Sequence, residues 1–294
     1  MTWHVILNPG AGRQADVAPR LEAALRESAV EYRLVVSRDA GHVAELVAEA
    51  VDSGVSRFAS VGGDGTAHIV LNAVMAHRWE APPTLAIIPA GSGSDFIRTF
   101  ALPRRLEESV ALLAGPDVYR SDVGRLEGGF GSRWFLNAVN FGVAARSASR
   151  AARLPRRLGG LRYTTAFWLE LVRFQTGPVE VNTGRRTISI EQAINVVIAN
   201  GQFFGGGLNV APQAAVMDGI LDVEVFAGPR RNAFSVMPRV IRGLHLRHPA
   251  VTTGRGAELD VTVPDDWPVE ADGEMIGTGS AKISVVPAAI DFKI

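Results

Sequence analysis

The first third of the chain alternates short apolar runs with segments in which apolar residues recur every three or four positions. A short apolar run predicts a buried strand, and the longer period predicts an amphipathic helix. We expect strands at Trp3–Leu7, Tyr32–Val36, Phe58–Val61 and Leu85–Ile88, and helices at Val17–Leu25, Val43–Val51 and Ala67–Met75. This strand–helix alternation predicts a parallel sheet that is covered on both faces.

From about Tyr119 onward the pattern changes, and strand signals dominate. We expect strands at Trp134–Val139, Ile188–Ile190, Ile194–Ala199, Leu221–Phe226, Leu259–Val263 and Ile283–Val286, interrupted by helices near Tyr163–Phe174 and Ala233–Ile241. Short strands at this spacing are typical of an antiparallel sandwich. We therefore predict an α/β domain over residues 1–122 and a β-sandwich domain over residues 123–294. The final strand suits either domain.

Composition narrows the class of protein. The 294 residues suffice for two domains, and 47% hydrophobic and 20% charged residues are typical of a globular protein. The net charge is zero, so bulk electrostatics give no reason to expect a nucleic-acid partner. The absence of cysteine excludes disulfides and thiolate metal sites. We see neither a signal peptide nor an apolar run of the ~18 residues that a membrane span requires, and we expect a cytoplasmic protein.

Three glycine-rich loops directly follow predicted strands. They are Asn8–Gly12, Gly62-Gly63-Asp64-Gly65-Thr66 and Gly91–Phe96. Backbone N–H groups in such loops, together with a helix N-terminus, suit the phosphates of a nucleotide. Because the carboxyl ends of parallel strands meet at one edge of a sheet, we expect the loops to converge there. The alternative is a set of ordinary turns in which Asp64 and Thr66 cap a helix.

Carboxylates suited to acid–base chemistry occur in Asp272-Gly273-Glu274, between two strand-like segments. In an extended conformation both side chains point to one face and can reach the same acceptor hydroxyl as a general base. An Asp-Gly pair also favours a hairpin turn, in which the two side chains diverge. Asp64 is a further candidate, because an acidic residue in an anion-binding loop suggests contact with a metal or a reacting hydroxyl.

Taken in order, these motifs resemble those of the diacylglycerol kinase catalytic-domain family, which includes sphingosine, ceramide and bacterial lipid kinases. NAD kinases are more distant relatives. The matching motifs are Asn8-Pro9 with Gly12, Gly62–Thr66, Pro89–Phe96, Asn137–Gly142, Gly205–Gly207 with Pro212, Asp218–Asp222 and Asp272–Glu274. The resemblance covers nearly the whole chain.

The resemblance implies a Rossmann-like N-terminal domain, a C-terminal β-sandwich and an active site in the cleft between them. It implies ATP with Mg²⁺ at Asn8, Gly12, Ser37, Gly62, Gly63, Asp64, Gly65, Thr66, Gly91, Ser92 and Asp95, where Ser37 replaces a family threonine. It also implies a structural Mg²⁺ at Asp218 with the backbone carbonyls of Ala215 and Ile220. The acceptor-activating base is then Asp272 or Glu274, or Asp64 as in sphingosine-type relatives.

Two departures from the family pattern bear on the nucleotide. The glutamate that usually follows the GGDGT motif is Ile69, preceded by His68, and the asparagine of the second glycine loop is Ser94. Phosphate binding remains plausible with these residues. They put nucleotide affinity and nucleotide choice in question.

The sequence thus favours an ATP-dependent lipid kinase that acts on diacylglycerol, a sphingoid base or a related amphiphile. A kinase of a soluble alcohol metabolite and a nucleotide-binding module without catalysis are the alternatives. The segment Arg146–Phe174 joins arginines to aromatic residues, which predicts either peripheral contact with an anionic membrane or a core-facing helix preceded by solvated arginines. A homodimer is compatible with the sequence.

Overall fold

The computed structural model describes residues 2–10, 14–90, 94–155, 158 and 161–294. Its helices are α1 (Gln14–Glu27), α2 (Ala40–Asp52), α3 (Asp64–Val74), α4 (Phe96–Thr99), α5 (Leu106–Leu112), α6 (Val143–Arg153), α7 (Leu161–Leu171) and α8 (Asn232–Val240). Its strands are β1 (Trp3–Leu7), β2 (Tyr32–Val36), β3 (Arg57–Gly62), β4 (Thr84–Pro89), β5 (Val118–Gly128), β6 (Gly131–Phe135), β7 (Ala138–Gly142), β8 (Gly177–Asn182), β9 (Thr187–Ala199), β10 (Phe203–Phe204), β11 (Leu208–Asn209), β12 (Leu221–Ala227), β13 (Val251–Gly256), β14 (Glu258–Thr262), β15 (Pro268–Ala271), β16 (Glu274–Thr278) and β17 (Ala281–Lys293).

Two structural units share these elements. Unit 1 comprises Met1–Ser121 and Ala288–Ile294, and unit 2 comprises Asp122–Pro287. The chain therefore leaves unit 1 once and returns to it within β17. None of the helices formed by the described residues has the length and apolar character that a membrane span requires.

Unit 1 contains a parallel sheet with the strand order β2-β1-β3-β4. The end of β17 adds a fifth parallel strand, because Asp291 pairs with Thr84 and Phe292 pairs with Leu85. The inner strands β1, β3 and β4 are buried on both faces, and all five residues of β1 are buried. Such burial requires helices on the sheet. The predicted α/β class of the N-terminal domain is confirmed.

Unit 2 is built mainly from antiparallel strands, in the order β16-β15-β7-β9-β8-β14-β17. The long strand β9 connects several of them: its first half pairs with β8, and its second half pairs with β7 on one side and β12 on the other. Strand β12 also pairs with β13. Alternating residues of these strands form one large apolar core, and the predicted β-sandwich class is confirmed.

Some elements differ from the sequence-based expectation. The predicted strand Trp134–Val139 is two strands, β6 and β7, because the N–H groups of Leu136 and Asn137 bind the side chain of Asp272 instead of a neighbouring strand. Two predicted strands within residues 187–199 are the single strand β9. Helix α6 was not predicted, since Val143 is its single large apolar residue and its alanines form no conspicuous apolar pattern.

Candidate functional site

The turn between β3 and α3 is the centre of the site in unit 1. Gly62 ends β3, Gly63 is the N-cap residue of α3, and Asp64 is the first helical residue. A Cβ atom on Gly62 would lie 2.2 Å from Oγ1 of Thr66, so only glycine fits there without displacing Thr66. Gly63 has no side chain and therefore supplies no side-chain cap to α3, and a helix N-terminus favours a bound anion.

Asn8 joins the loop after β1 to this turn. Its side-chain Nδ2 donates a hydrogen bond of 2.9 Å to Oγ1 of Thr66, and its Oδ1 accepts the backbone N–H of Gly10 at 2.8 Å. Its own backbone N–H donates to the carbonyl of Val61 at 3.2 Å. Asn8 thereby fixes the threonine hydroxyl and the loop conformation at the same time.

The loop after β4 meets the same turn through Asp64. The carboxylate of Asp64 accepts the backbone N–H of Asp95, with Oδ1 at 2.9 Å and Oδ2 at 3.1 Å. The buried side chain of Asp95 forms an ion pair with Nε of Arg98 at 3.2 Å. The structure therefore brings together the described parts of the three predicted loops.

Other predicted nucleotide-binding residues are placed less directly. Ser37 is buried, and its hydroxyl donates to the carbonyl of Leu7 at 3.3 Å. Gly65 lies in the first turn of α3. Gly12, Gly91 and Ser92 lie outside the described residues.

Asp272 and Gly273 form a two-residue turn between β15 and β16 in unit 2. Their φ angles of 50° and 92° belong to the left-handed region, as a type I′ hairpin turn requires. Asp272 is 8% exposed, whereas Glu274 is exposed to solvent. The side chains of the predicted carboxylate pair thus occupy different environments, as expected for a turn and not for an extended segment.

The carboxylate of Asp272 binds three successive backbone N–H groups. Oδ2 accepts from Leu136 at 2.8 Å, and Oδ1 accepts from Asn137 at 2.8 Å and from Ala138 at 3.2 Å. The backbone N–H of Asp272 donates in return to the carbonyl of Ala138 at 3.0 Å. These bonds hold the turn against the chain between β6 and β7, and they leave Glu274 as the accessible carboxylate of the pair.

Glu270, which the sequence analysis missed, lies beside this turn and is 4% exposed. Its Oε2 accepts from Nδ2 of Asn140 at 2.7 Å, and its Oε1 accepts from the backbone N–H of Gly273. Burial is the main cause that raises the pKa of Glu270 to about 8, and the negative charges of Asp272 and Glu274 add to it. The sequence signal for Glu270 is its place in the alternating residues of β15. This alternation predicts a strand with one solvent-facing side, whereas Val269, Glu270 and Ala271 are all buried.

The acid form of Glu270 also fits its partner. Oδ1 of Asn140 is buried and has no hydrogen-bond partner among the described residues. Rotating the Asn140 amide by 180° would bring this oxygen to Oε2, where it would accept the carboxylic proton. Glu270 and Asn140 thus form a neutral buried pair at neutral pH.

The predicted structural metal site contains an arginine. Oδ2 of Asp218 lies 2.8 Å from Nη2 of Arg255, and its Oδ1 accepts the backbone N–H of Ile220 at 3.1 Å. Nε of Arg255 also lies 3.0 Å from Oδ1 of Asp222. The backbone carbonyl of Ala215 accepts the N–H of Asp218 at 3.5 Å.

These residues do not fit a bound divalent cation. The carboxylate of Asp218 already faces a positive guanidinium, which would repel a metal ion at the same oxygens. Within the part of the chain that the structure describes, no group of three His, Cys, Asp or Glu residues is suited to holding a metal.

An apolar cavity lies within unit 2, among β9, the β10–β11 hairpin, α7 and α8. Its lining includes Phe167, Phe204, Leu208, Phe226, Val236 and Met237. Asn195 and Ser147, two of the polar residues in the lining, are bonded to backbone groups. Oδ1 of Asn195 accepts the N–H of Ala144 at 2.9 Å, and the hydroxyl of Ser147 donates to the carbonyl of Val143 at 2.6 Å.

The motif Gly205–Gly207 belongs to the rim of this cavity. All three glycines have positive φ angles, of 69°, 90° and 99°, which a non-glycine residue rarely adopts. They allow the tight connection of β10 to β11 that positions Phe204 and Leu208. This motif therefore shapes an apolar surface.

Two family models match consecutive parts of the chain. Residues 2–126 match the diacylglycerol kinase catalytic domain, and residues 137–293 match the YegS C-terminal NAD kinase beta sandwich-like domain. The chain belongs to the family defined by the YegS C-terminal NAD kinase beta sandwich-like domain, whose model matches more than half of its residues. Kinases of this family are phosphotransferases that act on hydroxyl groups, and the enzyme class of this chain follows from its membership.

Curated relatives match this chain over nearly its full length. Lipid kinase YegS of Escherichia coli strain K12 is 26% identical over 99% of this chain and 95% of its own length. Probable lipid kinase YegS of Escherichia fergusonii gives the same identity and coverage. The fold is also that of a crystal structure from Bacillus anthracis str. Sterne, with a TM-score of 0.81, 22% identity, and coverage of 99% of this chain and 96% of that one.

Proposed function

We propose that this protein is an ATP-dependent lipid kinase that phosphorylates a hydroxyl of diacylglycerol, a sphingoid base or a related amphiphile. The apolar cavity of unit 2 is the observation that carries the choice of a lipid acceptor. Sixteen of its 21 lining residues are apolar or glycine, and three of the five polar ones, Ser147, Asn195 and Asn232, are bonded to backbone groups. Burial of an acyl chain in such a cavity contributes about 0.8 kcal/mol per methylene group.

A soluble alcohol fits this cavity poorly. Recognition of a sugar or polyol requires several polar groups that converge on the ligand, because each buried hydroxyl needs a hydrogen-bond partner. The relatives that match the whole chain are named as lipid kinases, which agrees with an apolar acceptor.

The nucleotide is assigned to unit 1. The N-terminus of α3, with its positive dipole end, and the hydroxyl of Thr66 suit the phosphates, and Asn8 holds that hydroxyl in place. Mg²⁺ would arrive with ATP as part of the substrate. Phosphoryl transfer depends mainly on positioning and on neutralisation of charge, and a preorganised loop of this kind positions the phosphates.

We assign the deprotonation of the acceptor hydroxyl to Glu274. It is the solvent-accessible carboxylate of the pair, whereas both oxygens of Asp272 are bonded to backbone N–H groups. Asp272 then acts as a positioning residue that fixes the turn. Asp64 is the alternative base, although its carboxylate holds the N–H of Asp95.

An acceptor screen tests this function. The protein is incubated with Mg-ATP and either dioctanoylglycerol, sphingosine, glycerol or a sugar alcohol, and the products are identified by mass. A phosphorylated lipid is the expected product. Product from soluble acceptors alone would favour the soluble-alcohol kinase, and ATP binding without any product would favour the binding module.

A cavity-filling variant makes the test specific. Thr164 lines the cavity from α7, whereas its neighbour Thr165 is exposed and does not line it. We expect Thr164→Trp to raise KM for lipid acceptors while ATP binding is retained. Thr165→Trp is the matched control and should behave like the parent. Equal KM values for the two variants would show that the cavity does not bind the lipid acceptor.

A further inference from the structure

Helices α7 and α8 carry an unusual concentration of exposed apolar side chains. Six of the eleven large hydrophobic residues that are exposed in the described structure lie on them or on the residues that directly follow: Leu161, Leu169, Val172, Phe234, Ile241 and Leu244, between 45% and 73% exposed. A helix on the surface of a globular protein normally presents polar residues to solvent. Clustered apolar exposure of this kind marks an interaction surface.

The two helices form one continuous surface, which we call the α7–α8 face and define by those six residues. The ring of Trp168 on α7 stacks on the ring of Phe234 on α8, with a centroid distance of 4.7 Å. Nη1 of Arg230 donates a hydrogen bond of 2.6 Å to the carbonyl of Val172. The exposed residues therefore act together and not as scattered single side chains.

The charge around this face is strongly positive. The described residues of 143–176 and 228–250 include ten arginines and one acidic residue, Glu170, whereas the 30 basic and 30 acidic residues of the whole chain balance. Glu170 is itself buried and pairs with Arg146 at 2.9 Å and with Arg150 at 2.6 Å. Arginines around an apolar centre are complementary to anionic headgroups above acyl chains.

We propose that the α7–α8 face docks the protein on the surface of an anionic lipid membrane. The apolar side chains enter the boundary between headgroups and acyl chains, and the arginines contact lipid phosphates. The benefit of docking rests on the proposed function. Both helices also line the apolar cavity, through Phe167 on α7 and Val236 on α8 among others, so docking brings the acceptor cavity to the bilayer that dissolves the acceptor.

Vesicle co-sedimentation tests the docking surface. The parent protein should bind vesicles of phosphatidylcholine with phosphatidylglycerol more tightly than vesicles of phosphatidylcholine alone, and added salt should weaken this binding. Arg231→Gln with Arg242→Gln should weaken binding roughly fivefold per arginine. Arg78→Gln with Arg104→Gln removes the same charge from exposed positions of unit 1 and serves as the matched control.

A second pair of variants tests the apolar part. Phe234→Ser with Leu244→Ser should weaken binding about tenfold or more, whereas Phe234→Trp should retain it. Equal binding to neutral and anionic vesicles, or parental binding by the serine and glutamine variants, would overturn the proposal. Such results would leave a protein partner as the occupant of this face.

The result of vesicle co-sedimentation can be distinguished from the result of the kinase assay. Phosphorylation of dioctanoylglycerol in solution does not require a membrane and should be unchanged in the Arg231→Gln, Arg242→Gln variant. Vesicle binding without kinase activity would overturn the lipid kinase and leave the docking surface. Kinase activity in solution without vesicle binding would overturn the docking surface and leave the lipid kinase.

A different observation, the pairing of Arg255, carries a second inference. Asp222 on β12 and Arg255 on β13 are direct cross-strand partners, and the register places the guanidinium between Asp222 and Asp218. We infer that Arg255 is a built-in cation for the loop at Asp218. It supplies there the positive charge that a structural Mg²⁺ would otherwise provide, so the fold of this loop is independent of divalent cations.

Thermal unfolding in the absence of nucleotide tests this inference. The melting temperature of the parent should be the same with EDTA and with Mg²⁺. Arg255→Met frees two carboxylates, and we expect a melting temperature that is lower by about 2–4 °C in EDTA and partly restored by Mg²⁺. Arg185→Met, at an exposed position, is the control and should show neither effect.

Arg255→Lys keeps the positive charge and should remain insensitive to Mg²⁺, which keeps the test valid if the methionine variant fails to fold. A parent protein that loses stability in EDTA would overturn the inference. So would an Arg255→Met variant that melts like the parent and ignores Mg²⁺.

Discussion

The carboxylate of Asp64 accepts the backbone N–H of Asp95 through both of its oxygens, at 2.9 and 3.1 Å. Thirty-one residues separate the two partners, so this contact ties the turn before α3 to the start of α4. A carboxylate acceptor forms a stronger hydrogen bond than a neutral amide. Asp64 is thus part of the framework of the loops as well as a candidate for their chemistry.

We expect Asp64→Asn to weaken nucleotide binding, because it loosens one of the loops that meet at α3. Mg-ATP at millimolar concentration should raise the melting temperature of the parent by mass action, and the variant should show a smaller rise. Asp39→Asn is the control: Asp39 caps α2 by accepting the N–H of His42, and asparagine caps equally well. An equal ATP-induced rise in the melting temperature of Asp64→Asn and of the parent would contradict this role. If ATP, GTP and CTP all failed to raise the melting temperature of the parent, the proposed nucleotide binding would be wrong.

Gly62→Ala should disrupt the turn itself. The new methyl group would lie 2.2 Å from Oγ1 of Thr66 and would break the hydrogen bond from Asn8. We expect a loss of about 1–3 kcal/mol in the free energy of unfolding, measured in urea, together with a loss of the ATP-induced rise. Gly129→Ala, with nothing within 4 Å of its Cβ position, should be neutral by both measurements. Parental stability of Gly62→Ala would show that the turn can rearrange.

The two carboxylates of the hairpin turn should respond differently to substitution. Asp272→Asn leaves at least one of three buried N–H groups without its carboxylate partner and should lower the free energy of unfolding by about 1–3 kcal/mol. Glu274→Gln should leave unfolding unchanged and lower kcat by roughly 10²–10⁴-fold. Urea unfolding and steady-state kinetics on both variants measure the difference. Full activity of Glu274→Gln would contradict the assignment of Glu274 and favour Asp64 as the general base.

Glu270 predicts a dependence of stability on pH. Its pKa is raised from 4.5 to about 8, so between these values the folded protein binds a proton that the unfolded chain releases. This contribution to stability is fully present below the lower value and is lost as the pH rises through the upper one, by about 1.4 kcal/mol per pH unit in between. Glu270→Gln should remove this slope in urea unfolding at pH 6, 7 and 8. Parallel pH profiles of the variant and the parent would contradict the raised pKa.

Much of unit 1 could be predicted because local signals and tertiary structure agree there. The apolar runs at Trp3–Leu7 and Tyr32–Val36 coincide with β1 and β2. The convergence of the loops follows from the parallel arrangement, since strand ends share an edge. The partner of Asp64 could not be read from the sequence, because the position of Asp95 depends on how the loop after β4 closes.

Unit 2 was less accessible to sequence reasoning, because its functional contacts depend on strand register. The opposition of Asp222 and Arg255 arises only once β12 and β13 pair. The use of Asp272 as an acceptor for residues 136–138 depends on the pairing of β15 with β7. Neither relationship has a periodic signal along the chain.

Strand β17 has a consequence for the order of synthesis and folding. Its final residues complete the edge of the unit 1 sheet, where Asp291 and Phe292 pair with Thr84 and Leu85. During translation the first 121 residues emerge long before these partners exist, so the edge of β4 stays uncovered until all of unit 2 has been made. During this interval unit 1 is exposed to strand-pairing errors at the edge of β4.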